Sequence, residues 1–341
     1  MPTLSDIADD VGVSTMTVSR ALADKPGVAS DTRHRVLESA KRLGYTVNLE
    51  GRAPVKEQTQ KIGVLVNNVG SEYSGEIIDG ISNILDVANY DIVIFNPFKM
   101  RRSPNEYVVE VCQYAIDGLL IAAANRLQPQ SVEYLEQAIR QHFPVVFIDQ
   151  RVAGSTVPYV TAQNRQGAYD ATRYLIQLGH RRIGFILGPH TESPSGERLD
   201  GYRDALAQNG IAQDDQLVKN GDFTRQGGYA AALLLLSMDE PPTAIFASND
   251  PMAFGVYKAV QQSGKRIPED ISVIGFDDIA LSADIHPPLT TVRQPLREMG
   301  RVGAQMLLDM LRARDEPPVA VMELRTSLIL RDSCAPLRLR G

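Results

Sequence analysis

The first 45 residues place their apolar positions at helical spacing. In 4–22 (LSDIADDVGVSTMTVSRAL) these positions are Leu4, Ile7, Ala8, Val11, Val13, Val18, Ala21 and Leu22, two short periods broken at Val11-Gly12-Val13. Thr3 is placed to cap the first predicted helix, with Asp6 three residues on, and Ser14 to cap the second. Gly12 can take the backbone angles that a tight corner needs. A third helix is predicted over 30–43, with Val36, Leu37, Ala40 and Leu43 inward and Gly44 ending it. Residues 46–60 are polar, carry Gly51 and Pro54, and read as a linker. From Ile62 the texture alternates. The β-rich runs IGVLV, DIVIFN, GLLIAA, VVFID, YVTA, RIGFILG, LVKNGDF, AIFASN and ISVIGFD are separated by helical stretches such as 72–88, 165–178 and 250–263. Strands alternating with helices predict parallel sheets wound on both faces. Two such blocks, 62–162 and 163–292, exceed one core and predict twin lobes with a ligand between them, at the carboxyl ends of the strands. The expected fold class is α/β: an N-terminal helix-turn-helix headpiece and two doubly wound parallel-sheet lobes.

Composition narrows the function classes. A chain of 341 residues, 43% hydrophobic and 22% charged, suits a soluble globular protein of two or three domains. Cys112 and Cys334 sit in no metal or redox spacing, and the five histidines (His34, His142, His180, His190, His286) are scattered. No metal and no cofactor are expected. The richest apolar run, 230–236, is too short to span a membrane, and Asp6, Asp9 and Asp10 interrupt any signal-peptide pattern. A cytoplasmic protein with no membrane partner is expected. There is no G-x-G-x-x-G, no Walker A run and no G-x-S-x-G, and nothing pairs a nucleophile with a base, so the chain does not read as an enzyme.

Charge points elsewhere. The net charge is −6, yet 15–42 holds Arg20, Lys25, Arg33, Arg35, Lys41 and Arg42 against Asp24, Asp31 and Glu38. A small positive patch on an acidic body suits salt-sensitive DNA binding. The second helix carries Thr15, Met16, Thr17, Ser19 and Arg20 on faces not needed for packing, which is what the major groove accepts. A helical hairpin used only for packing is the competing reading; the order Val-Ser-x-x-Thr-Val-Ser-Arg favours DNA. In the lobes, Asp149 and Arg151 follow VVFI, Asp250 follows AIFASN and Asp277 follows ISVIGF. Carboxylates and guanidinium forks can hold adjacent hydroxyls in pairs.

The runs TLSDIADDVGVSTMTVSRAL and VASDTRHRVLESAKRLGY resemble the headpiece of the LacI/GalR (lactose/galactose repressor) family of bacterial transcription regulators. The similarity continues through LGHRRIGFILG, ERLDGYRDAL, SNDPMAFG and ISVIGFDDIALSADIHPPLTTVRQPLREMG, and covers nearly the whole chain. It implies a headpiece over 1–45, a hinge over 46–60 and an effector-binding core over 61–335, resembling type I periplasmic binding proteins. Lobe one would comprise about 61–162 and 293–322, and lobe two about 163–292 and 323–335. By the same resemblance Thr15, Met16 and Arg20 read bases, with Arg20 suited to guanine and Met16 and the Thr15 methyl to thymine methyls. Thr3, Ser14, Thr17, Ser19 and Thr32 match phosphate-contacting positions. In the hinge, Asn48 and Arg52 match the family pattern, whereas Gly51 weakens the helix and Pro54 replaces the leucine that wedges into the minor groove. The effector contacts it implies, with the strand-end residues above, are Tyr73, Asp149, Arg151, Asn164, Arg198, Phe223, Asp250 and Asp277. Gln163 departs from the usual Asp before Asn164. Asn67 and Asn68 are further candidates.

Plainer roles compete at each position. Asp250 and Asp278 can cap the following helix, Arg198 and Asp277 can form a structural ion pair, Tyr73 and Phe223 can be core, and Thr17 and Ser19 can be simple surface or capping residues. The reading that unites the motifs is a repressor that binds a palindromic double-stranded operator as a homodimer. A small effector between the lobes, a sugar or glycoside, would control it. A purine corepressor is the alternative ligand. A sugar-binding protein without gene control would need a signal peptide and no headpiece, and an enzyme in the cleft would turn glycosides over. The tail 332–341 has no heptads, so no tetramerising coiled coil is expected.

Overall fold

The computed structural model describes residues 4–22, 28–43, 59–66, 68–96, 111, 114–122, 135–136, 143–149, 155–189, 194–312 and 321–337. The chain divides into two compact units, Met1–Gln58 and Thr59–Gly341.

In the first unit, helices α1 (Leu4–Val11), α2 (Thr15–Leu22) and α3 (Ser30–Arg42) close over Ile7, Ala8, Val11, Val18, Ala21, Val36 and Ala40. Gly12, at φ 72°, makes the corner after α1. Ser14 Oγ accepts the Thr17 N–H at 3.1 Å and caps α2. The Asp10 carboxylate accepts from Ser39 and Arg42, and Arg35 Nη2 donates to the Val11 carbonyl at 2.7 Å, so polar bonds tie α1 to α3. Leu37 and Leu43 do not point inward as the periodicity predicts; they are 46% and 38% exposed. The buried stripe of α3 runs through Val36, Ser39 and Ala40. Leu37 lies about 100° round the helix from Val36, and Leu43 falls just past the helix end.

Among the described residues, the second unit holds two six-stranded sheets. The first has the order β11-β5-β4-β3-β1-β2, built from β1 (Lys61–Val66), β2 (Asp91–Phe95), β3 (Gly118–Ala122), β4 (Val145–Ile148), β5 (Tyr159–Ala162) and β11 (Val321–Leu324), all parallel. The second has the order β12-β10-β9-β8-β6-β7, built from β6 (Ile183–Leu187), β7 (Val218–Asn220), β8 (Ala244–Ala247), β9 (Ser272–Asp277), β10 (Thr290–Arg293) and β12 (Ser327–Ile329). There only β12 runs antiparallel to its neighbour. All nine runs read as strands form strands, though LVKNGDF gives only Val218–Asn220. Strands β3, β4, β6, β8 and β9 are buried at every position, as strands covered by helices on both faces must be.

In lobe one, α4 (Glu72–Val87) and α10 (Leu296–Arg312) cover one face of the sheet. They approach so closely that a Cβ on Gly80 would stand 2.0 Å from the Arg297 carbonyl oxygen, and one on Gly300 2.2 Å from that of Ile77. In lobe two, α5 (Asn164–Gln177) and α6 (Pro194–Gln208) cover one face, and α7 (Arg225–Leu236) and α8 (Asp250–Gln262) the other; α9 (Leu281–Asp284) is a single turn. The chain crosses between sheets after β5, after β10 and after β11. The last crossing follows β11, whose parallel pairing continues to Leu324 opposite Ala162.

Candidate functional site

Two surfaces gather the candidate residues. On the headpiece, Thr15, Met16 and Arg20 lie on the outer side of α2, and Met16 is 70% exposed. An unbranched thioether left in water beside a packed core is ready to bury against an apolar group of a partner. Ser14 and Thr17 share a hydroxyl hydrogen bond of 2.9 Å, and Thr32 is half-buried near the start of α3. Thr3, Asn48, Arg52, Arg151 and the side chain of Ser19 lie outside the described residues.

The second surface is a cavity of about 180 Å³ between the lobes, at the carboxyl ends of the strands. Lobe one supplies Asn68 and Ser71 from the β1–α4 turn, Tyr73 and Ser74 from the first turn of α4, and Asp149 just after β4. Lobe two supplies Pro194 and Arg198 on α6, Phe223 before α7, Asn249 and Pro251 at the start of α8, and Asp277 at the end of β9. The backbone at Asp149, Phe223 and Asp277 has φ of 52°, 64° and 124°. Such angles cost a non-glycine residue about 1–3 kcal/mol each. They turn these side chains out of the strand ends and into the cleft.

The polar bonds show which groups are held and which are left over. The Tyr73 hydroxyl donates to Asp149 Oδ2, while Asp149 Oδ1 is buried without a partner among the described residues. Arg198 is 3% exposed and stacked 3.8 Å above the Phe276 ring. Its Nε donates to Asn164 Oδ1 at 2.8 Å, and its Nη1 to the Ser248 carbonyl at 2.6 Å. The same Nη1 stands 3.7 Å from Asp277 Oδ1, which also accepts from Gln294 Nε2 at 2.8 Å. Arg198 and Asp277 therefore make the ion pair that was one of the competing readings, and both still line the cavity. Asn249 accepts from the Met252 N–H at 3.0 Å, capping α8, and donates to the Phe223 carbonyl at 3.2 Å.

Burial raises the carboxyl pKa of Asp149 above the usual range, opposed by the Arg198 charge and the Tyr73 hydroxyl. It raises Asp277 further, again opposed by Arg198, and lifts the Tyr73 phenol well above its ordinary value. Each shift has the same origin: charge removed from water with one guanidinium to answer it.

Asp250 stands one layer behind. Its Oδ2 accepts from the Ile279 N–H at 3.0 Å and Ser282 Oγ at 2.7 Å, and its Oδ1 from Thr291 Oγ1 at 2.5 Å. Burial pushes its pKa up to about 7. With both oxygens occupied it ties the start of α8 to the loop after β9, to α9 and to β10 instead of facing the cavity. Asn164 is likewise interior, orienting Arg198. The strand-end pattern marks Asp250 and not Asn249, although an Asn directly before Asp-Pro is itself an N-cap signal. It also passed over Ser71, Ser74 and Gln294; no spacing rule marks them.

Known proteins share this architecture. Residues 3–48 match the family model described as bacterial regulatory proteins, lacI family, and 172–334 match a periplasmic binding protein-like domain. The HTH-type transcriptional repressor CytR of Escherichia coli (strain K12) is 35% identical over 312 residues, covering 92% of this chain and 90% of that protein. Catabolite control protein A of Priestia megaterium is 32% identical over 306 residues, covering 89% and 91%. The structure of a transcriptional regulator CelR–cellobiose complex superposes with a TM-score of 0.75 at 30% identity, covering 98% of this chain and all of that one.

Proposed function

The chain belongs to the LacI family of bacterial regulatory proteins, and we propose that it is a repressor whose hold on a palindromic operator is set by a small sugar or glycoside in the interlobe cavity. The observation that carries the effector reading is the buried Asp149 oxygen, without a partner among the described residues, in a cleft walled by both lobes. An acceptor kept out of water without a donor costs about 1–3 kcal/mol, and a ligand hydroxyl that donates to it recovers that cost. Occupation of the cleft favours one lobe arrangement, because the ligand touches Tyr73 and Asp149 on one side and Arg198, Phe223, Asn249 and Asp277 on the other. The protein acts as a homodimer, with one headpiece in each operator half-site; Thr15, Met16 and Arg20 read bases, and Ser14, Thr17 and Thr32 hold phosphates. It is a cytoplasmic regulator that binds its ligand unchanged, not an enzyme. Among the described residues no helix is long and apolar enough to cross a membrane.

Coupling is reciprocal: operator must weaken effector binding by the factor with which effector weakens operator binding. Fluorescence anisotropy on labelled operator, titrated with the protein in the presence and absence of sugars and nucleobases, tests this. A ligand that raises the melting temperature and shifts operator affinity is the expected result. A ligand that stabilises the protein and leaves operator affinity unchanged overturns the coupling. A nucleobase as the sole responder replaces the sugar with the purine reading.

A further inference from the structure

Among the described residues of the headpiece, the most exposed large apolar side chain is also an oxidisable one. Met16 stands 70% exposed on α2, between the exposed Thr15 and the half-buried Thr17. Val18 and Ala21 of the same helix point the other way, into the headpiece core. The thioether therefore belongs to the face that α2 offers to a partner, not to the stripe that holds the fold. The other described methionines are better shielded. Met252 and Met299 are buried in the lobes, Met238, Met306 and Met310 are half-buried, and Met322 on β11 is 43% exposed. A dissolved oxidant reaches a thioether only where solvent does, so Met16 is the first of these to meet it.

We propose that Met16 is a sulfoxidation site through which a peroxide releases the protein from its operator. The proposal rests on Met16 reading bases. The Met16 sulfur attacks one oxygen of hydrogen peroxide: a sulfur–oxygen bond forms and the oxygen–oxygen bond breaks. The sulfur is oxidised by two electrons, the peroxide is reduced, and the proton of the transferred hydroxyl leaves with the departing one as water. The product is a polar, chiral sulfoxide. In the free protein this side chain lies in solvent, so the change spares the headpiece core. In the major groove it does not pass unnoticed. The thioether suits a thymine methyl, whereas the sulfoxide oxygen is an acceptor with no donor to meet there. Stripping its water without replacing that hydrogen bond costs about tenfold in affinity per half-site. A homodimer with both headpieces on the operator loses the square of that, on the order of 100-fold.

The test treats the full-length protein with hydrogen peroxide and maps the oxidised positions by peptide mass spectrometry. Operator affinity is read by anisotropy on a palindromic duplex that the protein selects from a randomised pool. Met16 should oxidise ahead of Met322, and bound duplex should protect Met16 but not Met322. Affinity should fall on the order of 100-fold while the melting temperature stays unchanged. Methionine sulfoxide reductases A and B with dithiothreitol should restore it. Met16→Leu keeps an apolar contact and should hold the duplex through the same treatment, which separates Met16 from any effect of the cysteines. Met16→Gln, polar and uncharged like the sulfoxide, should bind weakly without oxidant. Oxidised Met16 with undiminished affinity, oxidation of Met322 first, or an equal loss in Met16→Leu overturns the proposal. If Met16→Gln binds as tightly as the parent, Met16 touches no base, and its base-reading role fails together with the proposal. If the untreated parent selects no duplex, the repressor reading itself fails.

Discussion

Replacing Arg198 with methionine isolates the central electrostatic feature of the cleft. Methionine has a stem of similar length and can still pack on Phe276, so the change removes charge and hydrogen bonds more than volume. The Ser248 carbonyl and Asn164 Oδ1 lose their donors, bonds of 2.6 and 2.8 Å, and Asp277 loses the cation 3.7 Å from its oxygen. Removing one partner of a buried ion pair costs about 3–5 kcal/mol. For a unit of 283 residues that corresponds to a fall in Tm of roughly 5–9 °C. The sign of the pH dependence provides the sharper check. Arg198 lowers the Asp277 pKa, which burial raises. Without the guanidinium, folded Asp277 takes up a proton more readily than it does unfolded, so the variant gains stability as pH falls. The deficit against the parent protein should therefore be smaller at pH 5.5 than at pH 8. Adding Asp277→Asn should recover part of the loss by deleting the stranded charge. Melting curves of the three proteins at both pH values measure all of this. A deficit under about 1 kcal/mol, or one equal at both pH values, would refute the reasoning.

Further predictions concern other parts of the chain. Arg20→Ala should relax preference at one base-pair position by about 1–3 kcal/mol; operator variants compared at fixed salt measure this, and equal weakening on all sequences would make Arg20 a phosphate contact. His180 is buried, with its ring nitrogens bonded to Thr243 at 2.9 Å and to Ser272 and the Ala335 carbonyl at 3.1 Å, and burial lowers its pKa from 6.5. Its neutral form is favoured in the fold, so its stabilisation is complete above pH 6.5 and is lost as pH falls below it. His180→Gln should flatten that acid limb of the Tm profile; an unchanged slope would exclude His180 as its source. Gly300→Val places a Cβ 2.2 Å from the Ile77 carbonyl oxygen and should cost about 1–3 kcal/mol by forcing α4 and α10 apart. An unaltered Tm would contradict that packing.

Local periodicity carried most of the architecture. The helical spacing of Ile7, Ala8, Val11 and Val18, with Gly12 between, is enough to specify a helical corner, because each helix must bury one stripe. Five of the nine β-rich runs show themselves because strands buried on both faces need apolar residues at nearly every position. Residues sitting directly after a strand, such as Asp149 and Asp277, were legible as cleft candidates because parallel sheets place all their carboxyl ends on one side.

What the sequence by itself determined was therefore element type, the doubling of the α/β block and a short roster of polar residues at strand ends. Only the tertiary structure separated the carboxylates that face the cavity from the one that does not. Asp250 and Asn249 are neighbours, yet Thr291, Ser282 and Ile279, up to 41 residues away along the chain, draw the first inward and leave the second on the wall. The same holds for Tyr73 and Asp149, joined across 76 residues, for Gln294 on Asp277, and for the final crossing that keeps Leu324 beside Ala162. Periodicity is a property of a few consecutive residues. The destination of a buried oxygen is decided by whichever donor the fold brings within about 3 Å, and that donor comes from another part of the chain.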